Sequence, residues 1–376
     1  GKIYHGHTGK GIDRENWSQW INVNAPDYAL PENVENLKAA LEANEVGTAH
    51  DPPKGPLTEM ADVHDYTYID GKRSQEAVAT LKKLSEKKDQ PFFFAVGLSK
   101  PHLPFVAPKK YWDLYNREDF AMPTNGKIPP GYPEQAANLA AHEMHKYSDY
   151  EGKIPTDFSD DLNRRLLHGY AAATSYADAC FGRIMDTLEE TGLAENTIVV
   201  LWGDHGFKLG DHSTWVKHTN FECDTRVPLI VRDPRIDGGK STPRLVELID
   251  LYPTLCDLTG IPTPSHCQGR SFTGLLTDPE AGHRIDAYST YPAWKSLGHS
   301  IRIGNFRYTE WHEDETGEVI AKVLTNLKDD PGEETNVIDE SKFAGQLAVA
   351  QKRLALRISQ STEAKAKSPV PETAPI

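Results

Sequence analysis

Apolar positions along this 376-residue chain recur in two patterns, one typical of helices and one typical of strands. Helical spacing of apolar residues predicts helices at 31–43, 74–87, 163–191, 245–259 and 341–359. Continuous apolar runs bounded by turn residues predict buried strands at 92–98, 197–202 and 227–231. Such an alternation of strands and helices predicts an α/β fold.

The longest helical pattern, at 163–191, places its apolar residues close to one stripe that should face the core. Gly192 follows it and suits a left-handed C-terminal cap. The predicted stripe consists of Leu167, Tyr170, Ala171, Thr174, Ala177, Phe181, Ile184 and Leu188.

Beyond about residue 290 the pattern changes to short strands with turns, of which 300–308 is an example. We therefore predict a main α/β domain at 1–290 and a smaller C-terminal α+β subdomain at 291–376, with antiparallel strands and a terminal helix. The polar tail after Ser361 contains proline and predicts disorder. The apolar side chains that the final helix should turn inward are Phe343, Leu347, Leu354 and Ile358.

Composition narrows the class of protein. Hydrophobic residues make up 38% and charged residues 26%, which is typical of a globular protein, and no apolar run approaches the length of a membrane span. The formal net charge of -14 disfavours nonspecific binding of nucleic acid. An anionic substrate would therefore need a local basic pocket. The four cysteines form no CxxC pair and indicate no disulfide framework.

Polar clusters follow two of the predicted strands. Lys100 and His102 come after 92–98, and Asp204 and His205, flanked by glycines, come after 197–202. In open α/β sheets ligands bind beyond the carboxyl ends of the strands, so both clusters are candidates for one site. Aspartate beside histidine can bind a divalent cation, or the aspartate can orient the histidine as an acid or base. A capping aspartate followed by a turn histidine explains the same residues equally well.

Two further segments carry candidate residues. The run from Gly210 to His218 is dense in groups that bind oxyanions, and Lys217 within it suits a tetrahedral anion as a mobile charge with three donors. A solvated loop lysine is the ordinary alternative. Lys2 and His5 lie three residues apart at the start of the chain, a spacing that alone carries little information.

Several segments together resemble one family in the expected order. They are GKIYH at 1–5, PFFFAVGLSKPHLPF at 91–105, WGDHGFKLGDHSTWVKHTNFECDTRVP at 202–228, VELIDLYPTL at 246–255, HSIRIGNFRYTEW at 299–311 and DDPGEETN at 329–336. The chain resembles the sulfatase family of the alkaline-phosphatase superfamily, and within it the iduronate-2-sulfatase branch. The resemblance implies an alkaline-phosphatase-like α/β fold, in which helices flank a large mixed sheet.

The resemblance also implies a nucleophile and a metal. In this family the nucleophile is a formylglycine made from a cysteine or serine, the cysteine lying in a C-x-[PA]-x-R signature, and none of the four cysteines here has arginine four residues later. We therefore expect the nucleophile in an N-terminal segment that packs with this chain, which alone should not hydrolyse sulfate. Asp204 and His205 would bind a metal ion beside two aspartates of that segment. Calcium is expected, with magnesium or a transition ion as alternatives.

The remaining candidates would act on the sulfate group. By the resemblance, Lys2 and Lys217 would hold sulfate oxygens and offset the negative charge of the transition state. His102 would protonate the leaving oxygen or hold it through a hydrogen bond. His5 would assist the aldehyde hydrate and the release of sulfate from the covalent intermediate.

The resemblance implies a sulfated oligosaccharide or polysaccharide as substrate, with a 2-O-sulfated uronic acid at its end. Arg302 lies in a segment that matches a loop beside the active site of this branch and is our candidate for binding the uronate carboxylate; a strand arginine facing solvent is the alternative. Heparan, dermatan and an algal polysaccharide such as ulvan all stay open. A secreted, periplasmic or lysosomal location is expected. The rival functions are a phosphodiesterase or phosphonate monoester hydrolase of the same superfamily and a noncatalytic glycan-binding relative.

Overall fold

The computed structural model of the protein describes residues 2–4, 14–43, 52–87, 89–137, 143–150 and 158–367. The chain divides into two compact units, of which the first comprises Gly1–Pro123 with Glu143–Thr197 and the second Thr124–His142 with Ile198–Ile376. The predicted C-terminal subdomain lies within the second unit, and its boundary at residue 290 stays a prediction.

Helices dominate the first unit and strands the second. The α-helices in the described ranges are α1 (Pro31–Ala43), α2 (Ile69–Ser85), α3 (Lys109–Trp112), α4 (Glu134–Ala137), α5 (Asp160–Glu190), α6 (Glu222–Thr225), α7 (Leu251–Thr259), α8 (Thr273–Thr277) and α9 (Ala344–Lys367). The strands there are β1 (Thr58–Ala61), β2 (Phe105–Pro108), β3 (Val199–Trp202), β4 (Lys208–Leu209), β5 (Trp215–Val216), β6 (Leu229–Arg232), β7 (Asp286–Ala293), β8 (Ser296–Ile303), β9 (Phe306–Glu313) and β10 (Val319–Asn326). No helix in these ranges has both the length and the apolar character that crossing a bilayer requires.

The long helix α5 begins and ends with the signals expected from its sequence. The Ser159 hydroxyl accepts a hydrogen bond from the backbone N–H of Leu162 (3.1 Å), which satisfies one of the donors left open at a helix start. Two acidic residues follow in the first turn, where the helix dipole favours negative charge. After the helix, Gly192 has a left-handed backbone with φ 68°, so the predicted terminator is confirmed.

The buried face of α5 differs from the predicted stripe in its first half. Gly169 and Tyr176 are buried, whereas Thr174 of the predicted stripe is exposed. A Cβ atom at Gly169 would lie 2.9 Å from the Phe105 side chain, so the absence of a side chain lets α5 approach β2 closely. Apolar residues stand on both faces of this half, since Leu166 and Ala172 are buried whereas Leu167 is only partly buried, so the apolar pattern alone did not decide which face turns inward. The Tyr176 hydroxyl then fixes α2, because it accepts a bond from Gly71 N (2.8 Å).

The strand predicted at 92–98 is wrong as an element of the described structure. Residues 92–98 form neither helix nor strand there, and Phe93 is 74% exposed. Within the described residues, this segment accepts a backbone hydrogen bond at Gly97 O from Lys2 N (2.9 Å). A strand requires a ladder of such bonds with a neighbouring strand, and the described residues supply none here.

The strands predicted at 197–202 and 227–231 are confirmed in the second unit as β3 and β6, which pair antiparallel. Their burial is lower than expected, because Trp202 is 49% exposed and Ile230 is 59% exposed. The helix predicted at 245–259 begins later, at Leu251, behind a 3-10 turn whose Glu247 and Asp250 side chains cap each other's backbone.

A four-stranded antiparallel sheet in the order β10-β9-β8-β7 confirms the predicted C-terminal strands. The loop between β8 and β9 turns at Gly304, whose left-handed φ of 53° suits glycine. Helix α9 packs on this sheet through buried Leu354, with Phe343, Leu347 and Ile358 against the same cluster as predicted. The helix continues to Lys367, so the disorder predicted from residue 362 is wrong as far as that residue.

Candidate functional site

In the first unit, a buried carboxylate fixes the turn that carries His102. Asp70 in the first turn of α2 accepts hydrogen bonds from the backbone N–H groups of Ser99 (2.8 Å) and Lys100 (2.7 Å). The Lys100 ammonium in turn donates to the carbonyl oxygens of His102 (3.1 Å) and Pro104 (2.5 Å). Burial lowers the pKa of Lys100 to about 8, although the Asp70 carboxylate opposes this shift. The hydrogen bonds of the buried Lys100 ammonium therefore stabilise the turn.

The imidazole of His102 is held at Nδ1 and lies beside a carboxylate. Its Nδ1 lies 2.8 Å from the carbonyl oxygen of Leu103, and its Nε2 lies 3.1 Å from Oε1 of Glu143. The Leu103 carbonyl is an acceptor, so Nδ1 carries the hydrogen of that bond. Nε2 is then the nitrogen that could exchange a proton with a bound group. Nothing in the sequence around Glu143 indicated this pairing.

The predicted pair near the start of the chain is described only in part. Lys2 is half-buried, and its backbone N–H donates to Gly97 O (2.9 Å), which places it beside the segment leading to His102. A Cβ atom at Gly97 would lie 2.2 Å from Lys2 O, so only glycine permits this approach. His5 lies outside the described residues.

In the second unit, β3 ends in the turn that carries Asp204 and His205. Nδ1 of His205 lies 2.7 Å from the carbonyl oxygen of Gly206 and therefore bears the hydrogen. Its Nε2 lies 3.8 Å from Oδ1 of Asp204, which is longer than a hydrogen bond. The Asp204 side chain is 68% exposed. The turn thus presents a carboxylate and an imidazole nitrogen side by side.

This donor pair fits part of a metal site. A ligand histidine commonly donates the hydrogen of its other ring nitrogen to a backbone carbonyl, which fixes the ring, and Gly206 O accepts that hydrogen here. Two ligands of one cation, each at about 2.4 Å, stand roughly this far apart. Among the described residues no three His, Cys, Asp or Glu side chains come together for a metal. Asp204 and His205 would therefore supply two ligands of a larger set.

Lys217 lies in a strained stretch of the second unit. The β-branched Val216 precedes it at φ 72° and His218 follows at φ 122°, and such left-handed backbones cost on the order of 1–3 kcal/mol each. Strain of this kind persists only where the surroundings hold it, and it clusters at functional sites. The Nδ1 atom of His218 bonds the Tyr291 hydroxyl, which anchors the residue after Lys217. Other residues of this stretch with positive φ are His212 (51°) and Ser213 (60°).

The structure pairs Arg302 with an acidic residue. Nη1 of Arg302 lies 2.5 Å from Oε1 of Glu222, and the other carboxylate oxygen of Glu222 bonds Arg307. Burial would raise the pKa of Glu222, but Arg307 and Arg302 outweigh it and hold that pKa below its ordinary value. The Arg302 side chain is 19% exposed, so it does not simply face solvent. Its role in binding a substrate carboxylate stays a prediction.

A cavity of about 1830 Å³ in the second unit collects several of these residues. Asp204, His205, Glu222, Arg226 and Arg302 all contribute to its wall, whereas Lys217 is not among the lining residues. The predicted metal ligands and the predicted carboxylate-binding residue therefore share one cavity. Arg226 is an exposed part of this wall, and no feature of the sequence predicted it as a site residue.

Comparisons with known proteins cover most of the chain. The family model described as "Sulfatase" matches residues 15–261, and the model described as "N-sulphoglucosamine sulphohydrolase, C-terminal" matches residues 210–361. Iduronate 2-sulfatase of Mus musculus is 29% identical over 418 residues, which cover 92% of this chain and 75% of that protein. The multifunctional alkaline phosphatase superfamily protein PehA of Trinickia caryophylli is 26% identical over 380 residues, covering 92% of this chain and 69% of that protein.

The chain is also similar to solved structures. The protein BT4656, solved in complex with its substrate D-glucosamine-2-N,6-O-disulfate, superposes with a TM-score of 0.66 at 21% identity. The match covers 81% of this chain and 72% of that one. It confirms the predicted alkaline-phosphatase-like α/β fold with a C-terminal antiparallel sheet.

Proposed function

Because the chain belongs to the sulfatase family, whose model matches residues 15–261, we propose that it hydrolyses sulfate esters of sulfated saccharides, with a 2-O-sulfated uronic acid as the unit cleaved. Similarity to iduronate 2-sulfatase over 92% of this chain supports that substrate class. The structural observation that carries the proposal is the turn of Asp204 and His205, which presents two metal donors at a large cavity. A secreted, periplasmic or lysosomal location accords with this function.

The sulfate group would be held by lysines and released with the help of histidines. A formylglycine from outside this chain would supply the nucleophile that attacks sulfur. Lys217 and Lys2 bind sulfate oxygens and offset the charge that builds up on them. His102 donates the proton of its Nε2 to the leaving alcohol oxygen, while its Nδ1 stays anchored on Leu103 O. His5 assists the aldehyde hydrate and sulfate release.

Calcium is the cation that we propose for Asp204 and His205. It would hold and polarise a sulfate oxygen and the nucleophile when bound. The exposed Asp204 carboxylate supplies the oxygen donor that a hard cation prefers. The hydrogen bond from His205 to Gly206 O keeps the Nε2 lone pair directed away from the backbone. Magnesium or a transition ion is the alternative, and measuring the affinity of the protein for each ion would distinguish these from calcium.

A further polypeptide segment is proposed to pack against the second unit and to supply the nucleophile and two aspartates. Among the described residues β3 pairs with β6 alone, so its other edge has no ladder there. Trp202 and Ile230 on these strands are 49% and 59% exposed, and apolar strand residues of this size are normally covered. Because none of the four cysteines has arginine four residues later, this chain expressed alone should be inactive, and co-expression with a segment bearing C-x-[PA]-x-R should restore activity. Full activity of the chain alone would contradict this.

The substrate class is tested with matched saccharides. The enzyme produced from its complete gene should release sulfate from a 2-O-sulfated uronic acid disaccharide at least tenfold faster, by kcat/KM, than from a 6-O-sulfated glucosamine disaccharide. Arg302→Lys should raise KM for the uronic acid substrate but not for an aryl sulfate, because the aryl sulfate has no carboxylate to lose. Equal rates for the two disaccharides would exclude the uronic acid assignment.

The rival within the superfamily is a phosphodiesterase or phosphonate monoester hydrolase. PehA, a superfamily protein described as multifunctional, covers as much of this chain as iduronate 2-sulfatase does, 92%, at 26% identity. Sulfate and phosphate esters share the tetrahedral anion that Lys217 and a metal would bind, so the two functions differ in rate rather than in architecture. A direct comparison of the two esters separates them.

A further inference from the structure

A buried ion pair lies next to the segment that carries Lys217. Nζ of Lys208 on β4 lies 3.1 Å from Oδ2 of Asp224 on α6, and the two side chains are 1% and 3% exposed. The ammonium also lies 4.9 Å above the ring of Phe221. Charged side chains are rarely buried this fully unless they are paired, because each loses its hydration. The pair therefore needs a structural or functional reason.

Helix α6, which carries Asp224, contacts both ends of the segment from His205 to Asn220. At one end, the backbone N–H of Gly206 donates to the carbonyl oxygen of Asp224 (2.8 Å), directly after His205. A Cβ atom at Gly206 would lie 1.9 Å from the carbonyl oxygen of Cys223, so this approach requires glycine. The turn of the predicted metal ligands is thus fastened to α6.

At the other end, the side-chain carboxylate of Asp224 holds Thr219, two residues after Lys217. Oδ2 of Asp224 accepts bonds from the backbone N–H of Thr219 (2.9 Å) and from its hydroxyl (2.5 Å). Nζ of Lys208 donates to that same hydroxyl oxygen (2.6 Å). All three side chains are buried, so water does not compete for these bonds.

The third attachment lies immediately before Lys217. Lys208 is the register partner of Val216 in the short β4–β5 ladder. Val216 and His218 adopt left-handed backbones that their side chains disfavour, so Lys217 stands between two strained residues. Hydrogen bonds and ladder contacts on both sides are what keep such a conformation populated. Without them the segment would relax and the Lys217 ammonium would move.

We propose that Lys208 and Asp224 are positioning residues, whose side chains hold Thr219 and thereby fix Lys217 two residues before it. The inference rests on the proposed function, since it concerns a residue proposed to bind sulfate. Neither residue touches substrate in this account. Their side chains act through Thr219, whereas Val216 and Gly206 are held by backbone contacts of the same two residues.

The test uses the enzyme produced from its complete gene and the double variant Lys208→Met/Asp224→Asn. Removing both charges avoids leaving one buried and unpaired, so this variant should fold where Asp224→Asn alone need not. We expect kcat for an aryl sulfate to fall at least tenfold with KM changed less than threefold, because the loss falls on the transition state. Amide hydrogen exchange of 206–219 should become at least tenfold faster.

A control removes another ion pair of the same unit, one whose carboxylate is buried. Asp286 is 2% exposed and pairs with Arg353, and Arg353→Met/Asp286→Asn should leave kcat and the exchange of 206–219 unchanged even if the melting temperature falls. Wild-type kcat and exchange in the Lys208→Met/Asp224→Asn variant would overturn the inference. An inactive wild-type enzyme would overturn the proposed function instead, and the exchange of 206–219 would then decide the positioning role by itself.

Discussion

The Nε2 atom of His205 lies 3.8 Å from Oδ1 of Asp204, while Nδ1 of the same ring is bonded to Gly206 O. The spacing is too long for a hydrogen bond and suits two ligands of one cation. Asp204→Asn and His205→Ala should therefore each weaken Ca²⁺ binding by at least tenfold in calorimetry on the complete protein. Asp237→Asn, which alters an exposed carboxylate of the same cavity, is the matched control and should bind Ca²⁺ normally. Unchanged affinity in both turn variants would remove them from the metal site.

Lys217→Ala should lower kcat/KM for an aryl sulfate by roughly 100- to 1000-fold, as the loss of a preorganised charge at a developing anion does. The fold should survive, because the side chain is not part of the buried core. Circular dichroism and the melting temperature check this. Lys322→Ala removes an exposed lysine from β10 and should leave activity unchanged. A folded Lys217→Ala enzyme of near-normal activity would exclude this lysine from the mechanism.

His102→Gln should make turnover depend more steeply on the leaving group. A nitrophenolate leaves without a proton, so its sulfate should lose little rate, whereas a saccharide sulfate should lose about 100- to 10,000-fold. The measurement is a series of aryl sulfates with leaving groups of increasing basicity. An equal loss across the series would argue against proton donation by His102 and would leave it a binding residue.

Much of the architecture follows from the sequence. The family resemblance is confirmed, and the helix at 31–43 and the strands β3 and β6 lie where the apolar pattern predicts them. The errors have physical causes. Apolar residues stand on two faces of the first half of α5, so the apolar pattern does not decide which face is buried. The apolar run at 92–98 reads as a strand, but a strand exists only through a partner that a one-dimensional pattern does not contain.

For the candidate site, too, the sequence predicted some residues and missed others. The pattern of motifs identified His102 and Asp204, yet the residues that fix them came only from the three-dimensional structure. Asp70 lies 29 residues before the N–H group of Ser99 that it binds, and Glu143 lies 41 residues after His102. Such pairings join distant parts of the chain, and neither residue belongs to a local motif.

Acid should destabilise the C-terminal sheet through His299. Burial, helped by the nearby charge of His312 and opposed by Glu310, lowers the pKa of His299 to about 4. The unfolded chain therefore takes up this proton first, and the stabilisation is complete above about pH 6.5 and is lost as the pH falls towards 4. His299→Gln can still bond the Tyr288 hydroxyl, to which His299 Nδ1 bonds at 2.7 Å, and does not titrate. Urea unfolding at pH 7 and pH 5 should show a smaller loss in the variant, and equal losses would contradict this assignment.

The central claim is that this chain belongs to an enzyme that cleaves sulfate esters in preference to phosphate esters. The most direct measurement is kcat/KM of the enzyme from its complete gene for an aryl sulfate and for the matching aryl phosphate and methyl phosphodiester. We predict that the sulfate is cleaved faster than either phosphate by at least tenfold. Faster cleavage of a phosphate ester would contradict the account and place the protein with the phosphodiesterases and phosphonate monoester hydrolases.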